Sequence, residues 1–271
     1  MFFRVVLAEA GKNIKQYFFT ARMLFWTLAL PLGNGLYLYF LYLPFGTKTV
    51  NLEFNASSFT LDLGGFTLIG QLLYSFFTMM LLAGVAFDTE RWQGTLESVL
   101  LAPANRVAIL LGMAVANTLN YMWLLIGVMF SWVLFLNVNV LINDFLALFA
   151  SIILSYLSLV ALGMSLEAFC IHSRRAHMYA NMLQEPIMFL SGLIFPLQSM
   201  PGALLPISYL LPLTFGLISV RLTLLGGASI FDVAVPLIIL SFMIIIFSAL
   251  AVWLISYAER SAKAKATLTQ F

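Results

Sequence analysis

Apolar residues run through this chain in long blocks, and the few charged positions fall mostly between the blocks. The six longest intervals without Asp, Glu, Lys or Arg are Met23 to Thr47, Leu63 to Phe87, Val107 to Asn143, Phe145 to Leu166, Pro186 to Val220 and Val233 to Ala258. Each exceeds the roughly 20 residues an α-helix needs to cross about 30 Å of hydrocarbon. The spacing predicts six transmembrane helices. They fall near Met23 to Leu43, Gly65 to Phe87, Val107 to Leu136, Phe145 to Cys170, Met178 to Pro196 and Val233 to Tyr257. The fifth interval is longer than one span requires, and Pro196, Pro201, Pro206 and Pro212 cannot share one straight helix. Residues 196–225 are therefore expected to form a re-entrant helical hairpin at the outer surface, because irregular backbone at membrane depth must be shielded by protein.

Ahead of the first span, Phe3, Leu7, Ala10, Ile14 and Tyr17 recur at helical spacing among Arg4, Glu9, Lys12 and Lys15. This pattern predicts an amphipathic helix within residues 1–22 lying along the inner leaflet. No small-residue cleavage site follows an early apolar core, so a cleavable signal peptide is not expected. The first outer loop has strand-compatible pieces around Asn51 to Leu63 but is too small for an independent domain. The fold class expected is thus all-α integral membrane, a single domain over residues 1–271.

Composition strengthens the membrane assignment. The chain is 62% hydrophobic and only 9% charged, where soluble domains carry about a quarter charged residues. With both termini cytoplasmic, the inner side carries Arg4, Lys12, Lys15, Arg22, Arg91, Arg106, Arg174, Arg175, Arg260, Lys263 and Lys265, and the outer side only Lys48 and Arg221. Eleven against two sets the orientation in an inner (cytoplasmic) membrane. The net charge of +2 is then a topology signal that points to membrane lipid and to no nucleic acid. Cys170 is the single cysteine, which excludes an intrachain disulfide. His172 and His177 have no neighbouring cysteine or carboxylate cluster, so no metal site is expected.

Between the second and third spans stands a short charged insert, DTERWQGTLESVLLAPANR, residues 88–106. Leu96, Val99 and Leu100 fall on one helical face and Glu90, Gln93 and Glu97 on another, which a plain connecting loop does not need. Asp88 is placed to cap the helix, Gly94 permits close backbone approach and Pro103 ends it before the third span. The pattern Glu90-x-x-x-Gly94-Thr95-x-Glu97-x-x-Leu100-x-x-Pro103 resembles the cytoplasmic coupling segment of ABC-2 type ABC-transporter permeases. Ser191-Gly192-Leu193-Ile194-Phe195-Pro196, then Met200-Pro201, then Tyr209-Leu210-Leu211-Pro212-Leu213-Thr214, is similar to the same family's signature after the fifth span.

That resemblance implies a permease subunit with no catalytic residues of its own. Gly11-Lys12 is the sole Gly-Lys pair, and Val6 stands where a phosphate-binding loop needs glycine. ATP and Mg are accordingly expected on a partner: two copies of an ABC ATPase subunit, with a second permease copy or a homologous permease completing the path. The ATPase contact is assigned to Asp88, Glu90, Arg91, Gly94, Thr95, Glu97, Leu100 and Pro103, with Lys12 and Lys15 of the N-terminal helix joining that acidic segment. The outer gate is assigned to Gly192, Phe195, Pro196, Pro201 and Pro212.

Glu185 is the unusual intramembrane charge. It lies about seven residues into the fifth span, beside Gln184 and before Pro186, with Asn181 one turn earlier. A carboxylate at a helix centre costs about 2.5–3.5 kcal/mol on insertion scales, so it is expected to face the substrate path, the permease dimer seam or a local partner at the proline kink. Glu167, nearer the interface, is read as a structural partner for Arg174 or Arg175. An intramembrane serine protease is disfavoured because Gly163-Met164-Ser165-Leu166 lacks the second glycine and both histidines lie outside the spans. A self-sufficient carrier or channel leaves the charged insert unexplained. Within the resembling family, the Gly-Thr-x-Glu turn favours drug, antibiotic or lipid-like cargo, with polysaccharide or glycolipid export as the alternative.

Overall fold

The computed structural model describes residues 2–17, 49–54, 57–83, 142–170 and 176–264, with isolated positions 25, 29, 33, 36, 37, 40, 94, 108, 109, 111, 112, 115 and 116. The elements are α1 (Phe2–Tyr17), β1 (Thr49–Phe54), β2 (Ser57–Asp62), α2 (Leu63–Ala83), α3 (Phe145–Cys170), α4 (Ala176–Leu190), a 3-10 turn (Leu197–Ser199), α5 (Leu205–Ser208), α6 (Pro212–Leu225) and α7 (Ala234–Ala264). Within α3 and α7, Phe145–Leu166 and Ala234–Tyr257 are long and apolar enough to cross a membrane. The other helices expected as spans lie wholly or partly outside the described residues, or are shorter.

One departure from an all-α chain stands in the first outer loop. β1 and β2 pair antiparallel, with Thr49 opposite Asp62 and Phe54 opposite Ser57. β2 then runs directly into α2.

Capping and loop bonds establish the relative directions of the long helices. The Asp144 carboxylate accepts from the backbone N–H groups of Leu146 and Ala147, capping α3, while its second oxygen accepts from Ile230 N–H at 3.1 Å. Asn143 Nδ2 donates to Gly227 O at 3.1 Å. The starts of α3 and α7 therefore meet at one end of the bundle, and since the two helices pack together along their length they run parallel. Arg221, near the C-terminus of α6, binds the start of α2 and the corner after α4. α2, α3 and α7 thus leave that end and α4 arrives at it.

Two contiguous apolar clusters hold these helices. One joins Phe66, Ile69, Leu73 and Phe77 of α2 with Leu159 of α3, Ile187 of α4 and Leu213, Leu217 and Val220 of α6. The other joins Ala147 of α3 with Phe215 and Leu222 of α6, Val233 just before α7, and Leu237 and Leu240 of α7. α6 belongs to both and is buried at every one of its positions, so it is the central packing element of the described bundle. At Gly216 a Cβ would fall 2.9 Å from Ser155 Oγ and 3.1 Å from Ser155 Cβ. Ser155 lies ten residues beyond Phe145, about 15 Å along α3 at 1.5 Å per residue.

Candidate functional site

The segment after α4 is built by its prolines and one glycine. Pro186 sits inside α4, where its missing N–H removes one ladder bond and favours a bend. α4 stops at Gly192, whose φ of +79° is left-handed and whose Cβ would press on the Leu197 side chain at 3.1 Å. A side chain there meets both backbone strain and a tight neighbour. Pro196 precedes the 3-10 turn, and Met200 is extended before Pro201, as a residue preceding proline must usually be. Pro212 opens α6 after an extended Leu211, and Thr214 Oγ1 donates to Ser208 O at 2.7 Å, tying α5 to α6. Of the residues assigned to the gate, Gly192 and Pro212 are buried, Pro196 is half-buried, and Phe195 and Pro201 are exposed.

The centre of this region is a residue the sequence counted only as an outer-side charge. Arg221 is 2% exposed and does not face water beyond the outer surface. Its Nη1 donates to Gly192 O at 2.8 Å, and its Nη2 donates to Phe66 O at 3.0 Å and Leu193 O at 3.2 Å. The guanidinium lies over the Phe66 ring, 3.5 Å from its centroid, a cation–π arrangement. Gly70 makes room for it, since a Cβ there would stand 2.8 Å from Nη2. Charge-assisted bonds of this kind contribute about 1.5–3 kcal/mol each and offset the desolvation of the buried cation. Arg221 therefore leaves the tally of aqueous outer charges. The visible signal was a lone arginine inside a proline-initiated apolar helix.

Asp144 grips two segments at the same end. Its bonds to Leu146, Ala147 and Ile230 hold its carboxyl below the ordinary carboxylate range, the Ala147 N–H being the largest cause. Asp232 is lowered likewise by the Ser229 hydroxyl and backbone N–H. An Asn-Asp pair before an apolar run is a helix-start pattern that predicts the cap but not the second loop it grips.

On α4, Asn181 and Glu185 are both exposed on the described chain, as are Met178, Met182 and Phe189. Gln184 Nε2 donates to Asn181 Oδ1 at 3.2 Å. These side chains share one exposed face of α4.

At the other end, α1 forms as the periodicity predicts, with Phe3 and Leu7 exposed and Ala10 buried. Lys12 Nζ lies 3.4 Å from Glu9 Oε1, one turn away in the same helix. The backbone of α1 rests against Gly112, where a Cβ would fall 2.8 Å from both Val6 O and Glu9 Cβ. Of the charged insert, residues 88–106, Gly94 alone is described: an exposed turn residue with φ +71°. Asp88, Glu90, Arg91, Thr95, Glu97, Leu100 and Pro103 lie outside the described residues, as do the side chains of Lys15 and Glu167. Among the described residues no group of three or more His, Cys, Asp or Glu could hold a metal ion.

No curated protein matches the chain. The model of a family described as "ABC-2 type transporter" does match, over residues 5–225, a stretch that takes in most of α1, the charged insert, the Gly192–Leu193 corner and all of α6. As that match covers well over half of its length, this chain belongs to the ABC-2 type transporter family.

Proposed function

We propose that the chain is the six-span permease subunit of an ATP-driven exporter. It moves an amphiphilic, drug-like, antibiotic or lipid-like substrate outward across the cytoplasmic membrane. Both termini are cytoplasmic, the whole chain is one domain, and residues 196–225 re-enter the membrane as the outer gate. Two copies of an ABC ATPase subunit carry ATP and Mg and dock on residues 88–106. A second permease completes the path. The observation that carries this reading is the family match running continuously from the N-terminal helix through the charged insert to α6. The left-handed, exposed Gly94 supports a tight projecting turn at the docking point. The depth of Gly216 along α3 and the burial of all of α6 support re-entry of that segment.

The exposed α4 face supports a role for Asn181 and Glu185 where two permeases meet or where substrate passes. A carboxylate among Met178, Met182 and Phe189 is poorly matched to lipid and better matched to protein or water. The test is Gly94→Trp, which places bulk at the docking turn and leaves the bundle untouched. Export and ATPase co-purification should both be lost, while the permease still inserts and binds cargo in detergent with nearly unchanged affinity. Retention of full substrate-stimulated hydrolysis and transport would reduce the insert to an ordinary loop.

A further inference from the structure

We propose that Arg221 is a positioning residue for the outer end of the bundle: it binds the first turn of α2, the Gly192–Leu193 corner and α6 into one block, so that the outer end is released between α6 and α3. The proposal rests on the transport reading above for its direction. Its structural half stands on contacts alone.

Two pieces far apart in sequence converge on the guanidinium that α6 carries. Phe66 contributes a carbonyl and a ring, and Gly192 and Leu193 contribute carbonyls from the turn that ends α4. Gly192 presents its carbonyl from a left-handed conformation, φ +79°, and Gly70 clears the space that any side chain would deny to Nη2. Two glycines and a proline-capped helix are thus arranged around one cation. A planar fork suits this task, because separate N–H groups reach separate acceptors in fixed directions; a lysine ammonium cannot reproduce that geometry. Pulling any partner away strands a charged donor in an apolar interior.

The opposite side of α6 is joined differently. Ser219 and Thr223, about half a turn around α6 from Arg221, direct their hydroxyls to carbonyls of α6 itself. On α3, Ser158 bonds within its own helix, while Ser151 and Ser155 are buried with no hydrogen-bond partner among the described residues. The α3–α6 seam thus shows apolar contact and the close Gly216–Ser155 approach, with no hydroxyl bond across it among the described residues. Apolar seams slide at lower cost than seams whose separation strands a buried charge. Gly226 and Gly227, the latter at φ +63°, follow α6 and provide the pivot.

The experiment uses the full-length permease with its ATPase subunit in vesicles, in a Cys170→Ala background. Single cysteines replace Leu193 at the clamped corner, Ser155 at the α3–α6 seam and Leu240 in the second core cluster, and labelling uses a membrane-impermeant maleimide from the outer face. At rest, Arg221→Met should speed labelling of Leu193→Cys about tenfold or more, as expected for a local opening, and leave Leu240→Cys protected. Arg221→Lys should give an intermediate rate. During nucleotide turnover with Arg221 intact, Ser155→Cys should become reactive and Leu193→Cys should stay protected. Unchanged labelling of Leu193→Cys in Arg221→Met overturns the proposal. So does equal exposure of Leu240→Cys, which marks Arg221 as a general fold residue, and so does labelling of Leu193→Cys during turnover with Arg221 present. If nucleotide alters none of the three positions, the ATP-driven reading fails, and the resting comparison still decides whether Arg221 clamps the corner.

Discussion

The contact between Gly216 and Ser155 makes a prediction whose sign depends on its partner. Replacing Gly216 by alanine in a helix interior ordinarily stabilises by about 0.8–1.0 kcal/mol, because alanine loses less backbone freedom on folding. Here the new methyl would stand 2.9 Å from Ser155 Oγ and 3.1 Å from Ser155 Cβ. The hydroxyl can rotate away, but the Cβ moves only with α3 itself. Overpacking of a tight interface costs about 1–3 kcal/mol, so Gly216→Ala should be destabilising by about 1 kcal/mol net. In a Ser155→Gly background both close atoms are gone and the nearest remaining Ser155 atom is Cα at 3.8 Å, an ordinary contact. There Gly216→Ala should stabilise by up to about 1 kcal/mol. The cycle of wild type, two single variants and the double variant therefore gives a coupling of about 1–3 kcal/mol. Equilibrium unfolding of the purified permease in mixed micelles, followed by tryptophan fluorescence, measures all four. If Gly216→Ala has the same sign in both backgrounds, α3 and α6 do not approach as described and the packing argument fails.

Acid should loosen the outer loops. Asp144 and Asp232 have carboxyls lowered from 3.8 by N–H and hydroxyl donors, so their contribution is present above that value and disappears as pH falls through the folded-state values below it. Hydrogen exchange at Ile230 and Ala147 should accelerate in that window, and Asp144→Asn should flatten the acid dependence at Ile230. Thr214→Val removes the 2.7 Å bond to Ser208 O and should cost about 1 kcal/mol in the same unfolding assay. Gly94→Ala, forced toward φ +71°, should weaken ATPase co-purification less than Gly94→Trp does, since it adds about 1–2 kcal/mol of backbone strain without bulk. If the α4 face is the permease seam, cysteines at Met182 or Phe189 should cross-link two copies, and Glu185→Gln should keep the cross-link; the absence of a dimer band at either position would assign this face elsewhere.

Sequence alone determined whatever depends on one segment and its solvent. Apolar blocks longer than a bilayer is thick forced membrane helices, and the 3.6-residue periodicity of Phe3, Leu7, Ala10 and Ile14 forced an amphipathic α1. The prolines after Phe195 forced a break into short pieces, which the 3-10 turn, α5 and α6 reproduce. The charged insert carried the family resemblance that the match over residues 5–225 bears out. Contacts between distant segments were a different matter. Arg221 looked like an aqueous charge because a sequence does not show that carbonyls 28, 29 and 155 residues away converge on it. The second grip of Asp144 was invisible because its bond to Ile230 spans 86 residues. Glu185 gave no clue to its direction, since rotation about a helix axis is set by neighbouring helices. The physical reason is common to all three: hydrophobic length and period are properties of one segment, whereas burial of a polar group is tolerated only where the rest of the chain supplies its partners.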